Sequence, residues 1–120
     1  MISDIRIFLC DNDHFRFFGE GPCRLLHLID ETGSLRAAAN SMGMAYTKAL
    51  TIMKRAEKNL GFPLTARRIG GKGGGGSVLT LEAKEFLHDY ETYRDACVQS
   101  SRELYTQILS KYADGGYGRE

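Results

Sequence analysis

The chain alternates in its first stretch and then changes to a helical rhythm. Residues 5–10 (Ile-Arg-Ile-Phe-Leu-Cys) are β-rich, with Ile5, Ile7 and Leu9 alternating, which predicts a strand. Asp11-Asn12-Asp13 is a strong turn signal, and Phe15-Arg16-Phe17 reads as a returning strand, so the start of the chain predicts a β-hairpin. Gly19 to Pro22 then opens a helix whose apolar positions Leu25, Leu28 and Ile29, with Leu26 beside them, have helical spacing. Gly33 is a stop for that helix and Ser34 an N-cap for the next. The second helix is expected from Leu35 to about Met42, with Ala37, Ala38 and Ala39 giving helix propensity and little bulk. Gly43 suits a tight interhelical turn, and a third helix is expected over 45–60, ended by Gly61 with Pro63 beyond. Two helices joined by a short glycine-containing turn form a helix-turn-helix.

Residues 64–68 and 77–80 predict two short strands around a flexible tip, Gly70-Gly71-Lys72-Gly73-Gly74-Gly75-Gly76. Thr80 can cap a last helix that carries Glu82 and Glu85 near its positive end and runs to about Tyr112. The expected fold class is mostly α with small β: a winged helix-turn-helix with an N-terminal β-hairpin and a long C-terminal dimerisation helix. The expected divisions are a DNA-binding domain over 1–80, a dimerisation helix over 81–113 and a disordered, glycine-rich tail over 114–120.

The third helix separates two kinds of side chain. With Thr47 at zero and about 100° per residue, Thr51, Lys54, Lys58, Arg55 and Lys48 fall within roughly a third of the circumference. Ala45, Ala49, Ile52, Met53, Ala56 and Leu60 fall opposite. One face is therefore expected to be buried while the other offers hydroxyls and cations. A helix fits the DNA major groove, where such groups reach base edges and phosphates. Tyr46, Thr47, Lys48 and Thr51 lie in the N-terminal half, which enters the groove in this motif. Lys54, Arg55 and Lys58 lie further along and suit phosphates.

Charge supports that placement. The net charge is only +1. Residues 36–72, however, hold eight cations (Arg36, Lys48, Lys54, Arg55, Lys58, Arg67, Arg68 and Lys72) against the single anion Glu57, a net of +7. The rest holds eight cations and fourteen anions, a net of −6. One basic block on an acidic body predicts a polyanion-binding face. At 120 residues the chain can bury one core. It shows no apolar run of bilayer length and no signal-peptide pattern at its start, so a cytoplasmic protein without membrane contact is expected. Cys10, Cys23 and Cys97 are odd in number and widely spaced, which predicts free thiols.

Other chemistries fit less well. A nucleotide-binding loop would open a helix after Gly-Lys-Ser/Thr, whereas here Gly76-Ser77 leads into a strand and Lys72 lies inside the run. As a wing, the tip brings its backbone, Arg67, Arg68 and Lys72 to phosphates or the minor groove. Cys10 with His14 and Cys23 with His27 share a Cys-x-x-x-His spacing that four zinc ligands could use. The tight two-residue cysteine spacings of structural zinc sites are missing, and buried cysteine often behaves as a small hydrophobe. No catalytic residue, cofactor or metal is expected.

Several runs resemble a known family. Thr32-Gly33-Ser34-Leu35-Arg36-Ala37-Ala38-Ala39, Gly43-Met44-Ala45-Tyr46, and the glycine wing followed by Leu79-Thr80 look like the N-terminal DNA-binding domain of ModE molybdate-responsive regulators. The resemblance covers about residues 5–95. Its Gly-Ser-x-x-x-Ala-Ala part is shared with LysR-type regulators, while the glycine-rich wing is more specific to the ModE type. It implies a winged helix and a homodimer held by the N-terminal hairpin region and the long last helix. Ala45 stands where that family usually has Ser, Leu50 where it has Trp, and Ala83 where it has Gly. The sequence ends before molybdate-binding domains, so the resemblance carries no expectation of molybdate sensing.

The last helix points to dimerisation independently. Phe86, Tyr90, Tyr93, Cys97, Ser100 and Leu104 follow the 4-3 spacing of a coiled-coil seam. A helix of about 30 residues is roughly 45 Å long, more than one small domain covers. The expected function is a sequence-specific transcriptional regulator that binds double-stranded operator DNA as a homodimer through helix 45–60 and the wing 67–77. The competing expectations are a protein-interaction module on the same scaffold and a nucleotide-binding enzyme.

Overall fold

The computed structural model describes residues 1–68 and 76–115. Along the chain run β1 (Leu9–Cys10), β2 (Arg16–Phe18), α1 (Glu20–Thr32), α2 (Leu35–Ser41), α3 (Tyr46–Leu60), β3 (Thr65–Arg67), β4 (Ser77–Leu79) and α4 (Leu81–Ile108), followed by a 3₁₀ turn, Ser110–Gly115. β1 and β2 form one antiparallel ribbon and β3 and β4 another.

The N-terminal strand is shorter than its alternation predicts. Ile5, Ile7 and Leu9 are half-buried and Arg6, Phe8 and Cys10 exposed, so the two-residue rhythm is real. Pairing is limited to Leu9 with Phe18 and Cys10 with Arg16, with an irregularity between them. The partner strand ends because Gly19 already caps α1. The Ile7 carbonyl finds its partner elsewhere, accepting the Tyr90 hydroxyl at 2.9 Å. The connecting turn is organised by the Asp11 carboxylate, which accepts the backbone N–H groups of Asp13 at 2.8 Å and Phe15 at 3.0 Å.

Helix boundaries follow local chemistry. α1 ends where Gly33 takes φ +73° and returns its N–H to the Ile29 carbonyl. The Ser34 hydroxyl accepts the Ala37 N–H at 3.0 Å and starts α2. The α2–α3 turn passes through Gly43 at φ +67°, a conformation that costs an L-residue about 1–2 kcal/mol. Thr80 caps α4 by accepting the Ala83 N–H at 3.1 Å, and its hydroxyl also donates to the Pro63 carbonyl.

Two boundaries need correcting. Ala45 was expected on the buried face of the third helix; it is instead the exposed N-cap of α3, outside the helical register that buries Ala49, Met53 and Ala56. α4 stops at Ile108 rather than near Tyr112, and the chain tightens into the 3₁₀ turn, with the Tyr112 N–H donating to the Leu109 carbonyl. That turn takes in the end of the expected dimerisation helix, residues 110–113, and residues 114–115 of the expected tail, and 116–120 lie outside the described residues.

The core joins all parts of this body. Phe18 from β2, Leu25, Leu26 and Ile29 from α1, Ala38 and Ala39 from α2, and Ala49, Met53 and Ala56 from α3 are buried together. Cys23 of α1 with Leu64, Leu79, Ala83, Leu87 and Tyr90 complete it. The alanines let α2 sit closely against both α1 and α3, which positions α3 with one face outward.

Candidate nucleic-acid interface

α3 lies half in the core. Ala49, Met53 and Ala56 are buried, and Ile52 and Leu60 are half-buried beside them. Thr47, Lys48, Thr51, Lys54, Arg55 and Lys58 are all exposed on the other face. The arc drawn from helical periodicity is thus the surface that α3 presents. None of these four cations forms an ion pair with another described residue. Glu57, the only anion of the basic block, accepts the Leu64 N–H at 2.7 Å and so is engaged in shaping the turn after α3.

At the start of α3, the Arg36 guanidinium lies 4.1 Å from the centroid of the Tyr46 ring. This contact crosses the helix-turn-helix and sets a cation beside the N-terminal end of α3. α3 has no side-chain cap; the Lys48 N–H donates to the Ala45 carbonyl at 3.1 Å, which leaves the N–H groups of Tyr46 and Thr47 for solvent or an anion.

The hairpin adds residues that the sequence reading leaves out. Asp11, His14, Phe15 and Arg16 face Thr51, Lys54, Arg55, Lys58 and Asn59 across an open groove. Arg16 is held over the Phe8 ring at 3.8 Å. A short turn carrying Asp, Asn and His gives no sequence signal for this placement, because it depends on how β2 packs against α3.

In the second ribbon, Thr65 pairs with Leu79, Ala66 with Val78 and Arg67 with Ser77. Arg67 is exposed. The Arg68 guanidinium lies against Gly33, where a Cβ would overlap it, so it sits at the α1–α2 turn. The Ser77 N–H donates to the Gly33 carbonyl at 2.8 Å and fastens the ribbon to the same turn. Lys72 and the glycine tip over 70–75 lie outside the described residues.

The α4 stripe divides. Phe86 and Tyr90 pack against Phe18, with ring centroids 4.8 and 4.9 Å away, inside the domain's own core. Burial pushes the Tyr90 hydroxyl up to about 12. Beyond Tyr90 no residue of α4 is buried. Tyr93 is 56% exposed and Leu104 52% exposed. Cys97 is half-buried between them, and with Ala96, Tyr105 and Ile108 they line an apolar groove along the helix.

Cys10, Cys23 and Cys97 are free thiols. Cys10 and His14 do not join Cys23 and His27, whose neighbour is Glu91 of α4. Burial pushes the Cys23 thiol up to about 11, with the Glu91 carboxylate adding to the effect and the Arg94 guanidinium opposing it. Among the described residues, no helix is long and apolar enough to cross a membrane.

A helix-turn-helix with an exposed basic third helix, followed by a two-stranded ribbon, defines the winged-helix class of DNA-binding folds. The comparison with solved structures agrees on the fold. The chain aligns with the CbnR DNA-binding domain, solved in complex with DNA, at a TM-score of 0.56 and 21% identity, covering 72% of this chain and 94% of that one. No protein-family model matches the chain. The expected resemblance to ModE regulators is borne out in sequence. The chain is 37% identical over 68 residues to the transcriptional regulator ModE of Haemophilus influenzae, covering 57% of this chain and 27% of that protein. It is 39% identical over 72 residues to the molybdenum transport protein ModE of Herbaspirillum seropedicae, covering 60% and 25%. It is 36% identical over 66 residues to the molybdenum-pterin-binding protein MopB of Rhodobacter capsulatus, covering 55% and 24%. The chain therefore spans about a quarter of the length of the curated relatives it matches.

Proposed function

We propose that this chain is a DNA-binding transcriptional regulator that reads double-stranded DNA as a homodimer. The observation that carries the reading is the exposed face of α3, where Thr47, Lys48, Thr51, Lys54, Arg55 and Lys58 stand together without acidic partners on a winged-helix scaffold. Tyr46, Thr47, Lys48 and Thr51 would enter the major groove and meet base edges. Lys54, Arg55 and Lys58 would meet phosphates, as would Arg36 at the head of the helix and Arg67 and Arg68 near the ribbon. Lys72 would extend the same contacts into the wing tip.

Dimerisation would use the exposed part of the α4 stripe, Tyr93, Cys97 and Leu104. Phe86 and Tyr90 would support it from below by anchoring α4 to the domain. A pair of such domains joined along α4 would present two copies of α3, which suits a pseudo-palindromic site.

Selection of bound duplexes from a random pool tests the reading. Enrichment of a two-fold symmetric motif is expected. Retention of unrelated sequences with equal affinity would sink the sequence-reading half of the proposal. Loss of all retention at low salt would sink the DNA-binding half.

A further inference from the structure

Cys23 and His27 lie one helical turn apart on α1, which places both side chains on one face. Glu91 comes to the same spot from α4. The His27 Nε2 atom is 3.1 Å from Glu91 Oε1, and the thiol sulfur, a ring nitrogen and the carboxylate oxygen all lie within 4.8 Å of one another. With bonds of about 2.0–2.3 Å, tetrahedral zinc holds its donors roughly 3.3–3.8 Å apart, so small side-chain adjustments would close this set around one ion.

The second oxygen of Glu91 forms an ion pair with the Arg94 guanidinium at 3.7 Å, a distance beyond hydrogen-bond range. Arg94 is itself paired with Glu20 at 3.2 Å and Asp95 at 3.0 Å. Its charge is thus shared among Glu20, Glu91 and Asp95, and it also lies against the Cys23 thiol, so an incoming ion would have to displace it from the sulfur. Cys23 is buried, whereas His27 and Glu91 are partly exposed, so one side of the set is open to solvent.

We propose that Cys23, His27 and Glu91 form a binding site for a borderline divalent cation such as zinc, with water as the fourth ligand. One thiolate, one imidazole and one carboxylate suit such an ion and not magnesium or calcium, which take oxygen donors. The ion would tie α1, the first helix of the DNA-binding unit, to α4, the helix that carries the proposed dimer stripe. The site stands independently of the DNA-binding reading, since it uses none of the residues of the α3 face.

Titration of the 120-residue chain with Co²⁺ alone tests this. One equivalent should bring up a thiolate-to-cobalt charge-transfer band in the near ultraviolet. The band should persist in the Cys10→Ser/Cys97→Ser double variant, vanish in Cys23→Ser, and be displaced by Zn²⁺ but not Mg²⁺. Because Cys23 is buried, the partly exposed ligand gives a second arm. His27→Gln should weaken Co²⁺ binding by about tenfold or more while its circular dichroism stays native. Zn²⁺ should raise the melting temperature of the wild-type chain and not that of His27→Gln. No charge-transfer band in excess Co²⁺, a band that survives Cys23→Ser, or unchanged affinity in His27→Gln would each overturn the site.

Discussion

The guanidinium of Arg36 stacks on the ring of Tyr46, 4.1 Å from its centroid, and so links the first turn of α2 to the first turn of α3 across the helix-turn-helix. An exposed cation–π contact is worth about 0.5–1 kcal/mol. Arg36→Ala should therefore lower stability only by that much in urea denaturation. Its effect on DNA affinity should be larger if Arg36 meets a phosphate as proposed, because the change would remove that contact and loosen the start of α3. Equal small losses in both measurements would show that Arg36 only braces the motif.

Gly33 is fixed by its backbone more than by its neighbour. Its φ of +73° costs an L-residue about 1–2 kcal/mol, and the Arg68 guanidinium lies where a Cβ would go. Gly33→Ala should lose about 1–2 kcal/mol of stability. Adding Arg68→Ala should recover only a small part, because a flexible side chain can move and φ cannot. A double-mutant cycle in which Arg68→Ala restores most of the loss would assign the cost to the side-chain overlap instead.

The domain's hold on α4 rests on Tyr90. Its ring packs edge-on to Phe18 and its hydroxyl donates to the Ile7 carbonyl, which no strand partner satisfies. Tyr90→Phe should cost about 1 kcal/mol, the typical net worth of such a bond. Phe18→Ala should cost about 3–5 kcal/mol by opening a cavity between β2 and α4. Denaturant midpoints for the two variants check the ranking.

How much of this was legible in the sequence depended on whether local chemistry or a distant partner decided. Gly33, Ser34, Gly61 and Thr80 mark helix ends because caps act within a few residues. The α3 face was legible because burial of Ala49, Met53 and Ala56 imposes a helical period on the residues opposite. The α4 stripe was legible as a stripe, but periodicity does not say where the domain's own core ends. Phe86 and Tyr90 are claimed by Phe18, and only from Tyr93 onward does the stripe stand clear. The hairpin's approach to α3, the Arg68 side chain at Gly33 and the meeting of Cys23 and His27 with Glu91 join segments far apart in the chain. No local pattern announces them.

The exposed part of that stripe gives a test of assembly. Leu104→Lys places a charge in the apolar groove without touching the buried core. It should convert the proposed dimer to a monomer in sedimentation analysis and leave the melting curve's cooperativity intact. A chain that is monomeric before the substitution would contradict the assignment of α4.

The central claim is that the exposed face of α3 neutralises DNA phosphates, and the salt dependence of binding tests it most directly. Affinity for the selected duplex, measured across a salt series, should fall linearly on a log–log plot. In the Lys54→Ala/Arg55→Ala variant the slope should flatten by about two, about one for each lost phosphate contact. Lys84→Ala, which removes an exposed cation from α4, should leave it unchanged. A Lys54→Ala/Arg55→Ala slope equal to those of the wild type and Lys84→Ala would contradict the account.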